Sequence, residues 1–210
     1  MDEVVRPWRG VSAEDRRSAR RAQLLEACLD VVGDAGVEAV TADAVARRAG
    51  LSKRYFYEAF ADREQILLAA LDGLLEVIRE RVAAVLDGED DVERRIRRTV
   101  ETLARILAED ARTARLFEEA PRVAVLEQHR HRAFRVFSEL LAAGIYADRG
   151  APRAEVTSWF VVAGTVEVLT RWLGGAVPMD EAEVVATIAD IGVRLSGPDG
   201  LWESGRERFS

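Results

Sequence analysis

The sequence predicts an all-α protein of about nine helices. Three observations carry that reading. Apolar residues recur three and four apart over long stretches, the period of a helix with one buried face. Only five prolines interrupt the 210 residues, and Pro121 and Pro152 stand where one helix ends and another opens. Helix-start residues, Ser, Thr or Asp just ahead of a periodic segment, recur along the chain.

Residues 1–11 read as a loose polar arm with Pro7, Trp8 and Gly10, from which Arg6 and Arg9 could reach DNA. Ser12 and Asp15 have the spacing of a capping box. The first helix then runs to about Gly33, with Leu24, Leu25, Cys28, Leu29 and Val32 as its core face. Thr41 caps a short second helix, Val40 staples onto Val45, and Gly50 stops it by adopting a positive φ. The pattern then repeats: Leu51 precedes Ser52, the cap of a third helix, and Leu51 staples onto Phe56. Two capped helices joined at one Gly form a helix-turn-helix.

Asp62 starts a fourth helix, with Ile66, Leu67, Ala70, Leu74, Val77 or Ile78, and Val82 on one stripe, ending near Leu86. At ~1.5 Å per residue it is about 36 Å long, enough to connect the N-terminal part to everything downstream. The acidic run 87–91 breaks it. Further helices are predicted over 92–108, 111–119, 122–143, from Pro152 to Leu173, and 181–195. The chain divides into an arm and helix-turn-helix part (1–61), a C-terminal helical part (62–197), and a Gly-, Ser- and charge-rich tail (198–210). The tail is expected to be disordered, apart from Trp202 and Phe209, which could dock.

The third helix carries the chemistry. Phe56 and Phe60, four apart, form its buried side. Lys53 and Arg54 occupy its first turn, where a recognition helix meets base edges. Arg forks onto guanine, Lys reaches guanine or phosphate, and Tyr57 can give its hydroxyl to phosphate. Arg16, Arg17, Arg20 and Arg21 start the first helix, where phosphate contact and a solvated face are both open.

This stretch resembles the TetR family of bacterial transcriptional repressors. The resemblance rests on Thr41, the turn AVARRAGLS, Tyr57 with Phe60, and Asp62-Arg63-Glu64, and spans roughly residues 16 to 72. It implies DNA contact by Thr41, Ser52, Lys53, Arg54, Tyr55, Tyr57 and Arg63. Two departures imply a different operator preference: Arg54 and Tyr55 stand where the family often has small residues. Glu58 replaces the usual aromatic or His, and is expected to point away from phosphate.

The net charge of −7 looks wrong for a DNA binder, but its distribution decides. Residues 1–60 hold ten basic and ten acidic side chains, so the acidity belongs to the remainder. Lys53 is the single Lys. The single Cys excludes an internal disulfide and fits a reducing, cytoplasmic setting; Cys28, on an apolar face, reads as a buried structural thiol. No uncharged run approaches the roughly 18 residues of a membrane span, and no signal peptide is visible. The alternating His129 and His131 face different ways, so no metal site and no cofactor is expected. No nucleophile elbow, phosphate loop or metalloprotease motif is present, so an enzyme is not expected.

Helices eight and nine are apolar around most of their circumference, which calls for burial on two sides. The resemblance implies a four-helix dimer interface, with Phe160, Gly164, Val168, Val184 and Ile188 facing the partner; a monomer core is the alternative. It also implies a ligand pocket among helices four to eight. Phe117, Phe134, Phe137 and Trp159 are expected to line it, with Arg105, His131 and Glu167 as polar anchors; each also reads as ordinary core or surface. The expected partners are double-stranded operator DNA, a small-molecule inducer and a second copy of the chain, with no membrane. The function read is a ligand-responsive repressor. The alternatives are a helical interaction module, or a DNA-binding regulator such as an activator that needs no inducer.

Overall fold

The computed structural model describes residues 12–88, 90–147 and 150–196. The arm with Arg6 and Arg9, and the tail with Trp202 and Phe209, lie outside the described residues. Among the described residues there are nine α-helices and no strand: α1 (Ala13–Ala35), α2 (Ala42–Arg48), α3 (Lys53–Ala59), α4 (Arg63–Leu86), α5 (Val92–Glu109), α6 (Ala111–Glu119), α7 (Ala124–Gly144), α8 (Ala151–Leu173) and α9 (Glu181–Ser196). Short 3₁₀ turns stand at Val37–Ala39 and Ala120–Arg122. The second of these displaces the expected start of the seventh helix. Pro121 tightens the chain there and Val123 is extended, so α7 begins two residues later.

The helix starts follow local chemistry. Ser12 and Asp15 form the reciprocal capping box, with bonds of 2.9 and 3.0 Å. Thr41 Oγ1 accepts the Ala44 N–H at 3.1 Å, and the Asp62 and Asp91 carboxylates each accept an N–H of their own first turn at 2.8 Å. Ser52 departs from expectation: it holds the cap position of α3, but its side chain makes no capping bond, and its carbonyl accepts the N–H groups of Tyr55 and Phe56 at 3.0 and 3.4 Å. Gly50, at φ 65°, turns the chain between α2 and α3.

Two hydrophobic cores result. The first packs Leu24, Cys28 and Val32 of α1 with Val45, Phe56, Phe60, Ile66, Leu67 and Leu71, and Leu116, Ala120, Val123 and Leu126 complete it. The second gathers Leu74, Ile78 and Val82 of α4 with residues of α5, α7, α8 and α9. The division falls inside α4: Leu75 belongs to the first core and Leu74 to the second. α6 is divided the same way, with Leu116 in the first core and Phe117 in the second.

A polar seam joins α6 to the end of α1. Glu119, 6% exposed, accepts the Val37 N–H at 2.8 Å and the Arg115 Nε at 2.9 Å. Arg115 also donates to the Gly33 carbonyl at 2.9 Å, and Arg112 to Asp30 at 2.6 Å. Gly36 admits the Glu119 carboxylate: its φ is 84°, and a Cβ there would stand 2.6 Å from a Glu119 oxygen. Burial raises the affinity of Glu119 for a proton, but the Val37 N–H, Arg115 and Arg122 outweigh it and hold this carboxyl below its ordinary value.

Candidate nucleic-acid interface and ligand cavity

α3 is held from behind by α1. Arg21 donates to the Ala59 carbonyl at 2.9 Å and its guanidinium lies 4.2 Å from the Phe60 ring centre. Gln23 donates to the Ala49 carbonyl at 2.7 Å. Both short helices therefore have an end carbonyl satisfied by α1 side chains. Arg20 covers the Tyr55 ring at 4.7 Å.

The opposite side of α3 is open. Tyr57 is 59% exposed, while Phe56 beneath it is fully buried. Lys53 and Arg54 are exposed, and each meets an acid: Lys53 Nζ lies 2.6 Å from Asp43 of α2, and Arg54 Nε donates to Glu58 at 2.8 Å. Thr41 and Ser52 are exposed at the starts of α2 and α3. Arg63 departs from the expectation of DNA contact. Its guanidinium donates to the carbonyls of Val40 and Val37, both at 2.8 Å, and so ties α4 to the segment before α2. Cys28 sits in the core behind this face; burial pushes its thiol up to about 12, although Arg63 pulls the other way.

The second core encloses a cavity of about 80 Å³ between α4, α5, α6, α7 and α8. Phe117, Phe134 and Phe137 line it, together with Val100, Tyr146, Val162 and Leu169. The other expected residues stand elsewhere. Arg105 borders a surface groove between α5 and α9. His131 is exposed and pairs with Glu127 at 2.9 Å. Glu167 is exposed and pairs with Arg171 at 2.5 Å. Trp159 is 52% exposed, on the outer side of α8. The polar anchors are thus absent from the lining, and the side chains around the space are nearly all hydrocarbon.

α8 has two apolar sides. Val162 and Leu169 are buried inward, while Phe160, 69% exposed, and Gly164 face outward. Phe160, Gly164 and Val168 border a shallow groove with Ile188, Ile191 and Leu195 of α9. Val184, expected on this face, is buried in the second core instead, and Ile188 is largely buried there too.

The sequence reading missed the seam of Glu119, Arg115 and Arg112. Its signal was faint: Gly33 and Val37, near a helix end, each lie 82 residues from the arginine and the acid that meet them.

An N-terminal helix-turn-helix on a helical body with an internal apolar cavity defines a DNA-binding transcriptional regulator. Residues 24–70 match the family model for bacterial regulatory proteins of the TetR family. The transcriptional activator FasR of Mycolicibacterium smegmatis is 29% identical over 175 residues, covering 80% of this chain and 79% of that protein. The fold is shared with FadR of Bacillus subtilis, solved in complex with stearoyl-CoA: TM-score 0.70, 16% identity, covering 82% of this chain and 97% of the other. It is shared also with SmeT in its triclosan complex: TM-score 0.72, 18% identity, covering 87% and 93%. The chain is thus a transcriptional regulator of TetR type, with the family's DNA-binding domain at residues 24–70, rather than an enzyme.

Proposed function

We propose that this chain represses transcription by binding a palindromic operator as a homodimer, and that an apolar small molecule entering the cavity releases it. The observation that carries this reading is the double membership of α6. Phe117 forms cavity wall, and two residues on Glu119 holds the Val37 N–H just ahead of the helix-turn-helix. A ligand that moves α6 therefore acts on the reader.

Thr41, Ser52, Lys53, Arg54, Tyr55 and Tyr57 face the DNA in this reading, and Arg63 stays with the scaffold. The dimer forms through the outer face of α8 and α9, with Phe160 at its centre. It sets two copies of α3 about one DNA turn apart. The nearly all-hydrocarbon lining supports an acyl chain or a flat apolar molecule; the stearoyl-CoA of FadR and the triclosan of SmeT are of that kind. About 80 Å³ falls short of the roughly 300–1,000 Å³ of ordinary ligand pockets, so the ligand selects a more open arrangement. Activation rather than repression is the second reading, favoured by the described role of FasR as an activator.

The test starts from DNA fragments retained by the purified protein. Operator affinity is then measured with and without stearoyl-CoA or triclosan. A drop of about 5- to 150-fold is expected, and operator must weaken ligand binding by the same factor. Equal affinities in both titrations for both probes would reject them as inducers. In sedimentation, Phe160→Glu is expected to yield a folded monomer; a wild-type monomer at micromolar concentration would end the dimer reading. Transcription from an operator-bearing promoter separates repression from activation.

A further inference from the structure

The charges on α3 are arranged against its own stability. Lys53 and Arg54 stand in its first turn and Glu58 in its last, so the helix dipole opposes all three. The Arg54–Glu58 pair runs Arg before Glu, the poorer order for an i,i+4 pair on a helix. Both side chains are exposed, and the Arg54 side chain keeps 84% of its surface, so the bond adds little to folding. Glu58 also borders a groove with Arg16, Arg17 and Arg20 of α1, and it accepts the Nε–H of Arg54 on its own helix. Folding stability does not account for this acid.

We propose that Glu58 is a positioning residue for base reading: it holds Arg54 so that the free end of the guanidinium meets guanine. This rests on α3 being the DNA reader. The carboxylate takes Nε at 2.8 Å. Nη1 and Nη2, the pair that forks onto guanine O6 and N7, take no part in that bond and make no hydrogen bond among the described residues. Fixing the guanidinium in advance removes part of the ordering cost of binding. Glu58 also acts on wrong sequences. Where no guanine waits, Arg54 stays tied to its acid instead of swinging to the nearest phosphate, and the carboxylate itself repels the backbone. It therefore weakens binding to all DNA while widening the gap between right and wrong sites.

The experiment uses the full chain and a pool of random-sequence duplexes. Selection with the wild type and with Arg54→Ala identifies the base pair whose preference depends on Arg54. Affinities for duplexes matched and mismatched at that pair are then measured for Glu58→Ala, Glu58→Gln and both in the Arg54→Ala background, with melting curves as a folding control. The wild type should discriminate by roughly 5- to 140-fold, the span of one good bidentate contact. Glu58→Ala is expected to shrink that ratio several-fold while tightening binding to mismatched DNA. Its salt dependence should steepen by about one phosphate contact, as Arg54 is released to the backbone. Glu58→Gln, which keeps an acceptor for Nε, should recover part of the discrimination. In the Arg54→Ala background neither change should alter the ratio. If Glu58→Ala raises matched and mismatched affinity equally, the acid is only repulsive and the proposal is wrong. If Arg54→Ala relaxes no position, the reader assignment fails first and the role of Glu58 fails with it.

Discussion

The two cores of this chain solve different problems. In the first, Leu24, Val32, Phe56, Ile66, Leu67 and Leu71 retain no exposed surface, and side chains of α1 satisfy carbonyls at the ends of α2 and α3. The second surrounds a cavity, and one of its helices, α8, leaves Phe160 and Trp159 largely exposed. A reading head must present a few side chains at fixed spacing, so its packing tolerates no slack. In the proposed function the second core admits a ligand and must change shape, and a space already partly empty loses little when its walls move. Tight packing and empty space thus fall in separate cores, and among the described residues α4, α6 and α7 contribute to both: Leu75 and Leu74, Leu116 and Phe117, Leu126 and Leu141.

Four measurements test the contrast between the cores. The largest effect is expected in the first core. Phe56→Ala should cost about 3–5 kcal/mol in urea unfolding and abolish operator binding. Phe134→Ala, on the cavity wall and only partly buried, should cost clearly less and leave operator binding intact. Equal costs would mean that the two cores are equally tight.

Next comes the seam between them. Gly36→Ala combines a backbone that L-residues avoid with a Cβ against the Glu119 carboxylate, and Glu119→Leu orphans the Val37 N–H. Each is expected to cost about 1–3 kcal/mol. In calorimetry the two cores should then unfold in separate steps; a single unchanged transition would show that the seam carries no coupling.

Acid should act on the same place. Because Glu119 titrates lower in the folded chain than its ordinary 4.5, its contribution is complete above that value and is lost as the pH falls through the folded one. Asp110, held below 3.8 first by its bond to Arg112, adds to the same window. Stability measured against pH should therefore decline below about 4.5, and Glu119→Gln should flatten the upper part of that decline. A wild-type curve that Gln leaves unaltered would remove Glu119 from the account.

The smallest effect has opposite signs in the two cores. Val100→Leu adds a methylene beside the cavity and should stabilise by about 0.5–2 kcal/mol. Val45→Leu adds one to a filled site and should destabilise by about 1–3 kcal/mol. The same sign at both positions would contradict the distinction drawn from the cavity.

Most of the fold was legible because helix boundaries are set locally. Thr41, Asp62 and Asp91 sit beside the N–H groups they satisfy, and Gly50 needs no distant partner to turn the chain. The site was less legible, since periodicity shows that a helix has an apolar face without showing what that face meets. Phe117, Phe134 and Phe137 point into the cavity, whereas Trp159, on a helix just as apolar, points out. Arg63 fits a DNA-contact motif by position, yet two carbonyls more than twenty residues away in sequence claim its guanidinium. Glu119 and Val37 could be paired only by the packing of α6 on α1.

The first core also imposes an order on synthesis. Its N-terminal members end at Leu75, but Leu116, Ala120, Val123 and Leu126 close it. A nascent chain that has released only its helix-turn-helix thus carries an open hydrophobic floor. At 5–20 residues per second, the lag before the remaining fifty or so residues appear is roughly 3–10 seconds. In the proposed function, operator recognition matures only after the start of the seventh helix has been made, so a chain that stalls before Leu126 reaches the promoter with neither a finished reader nor a sensor.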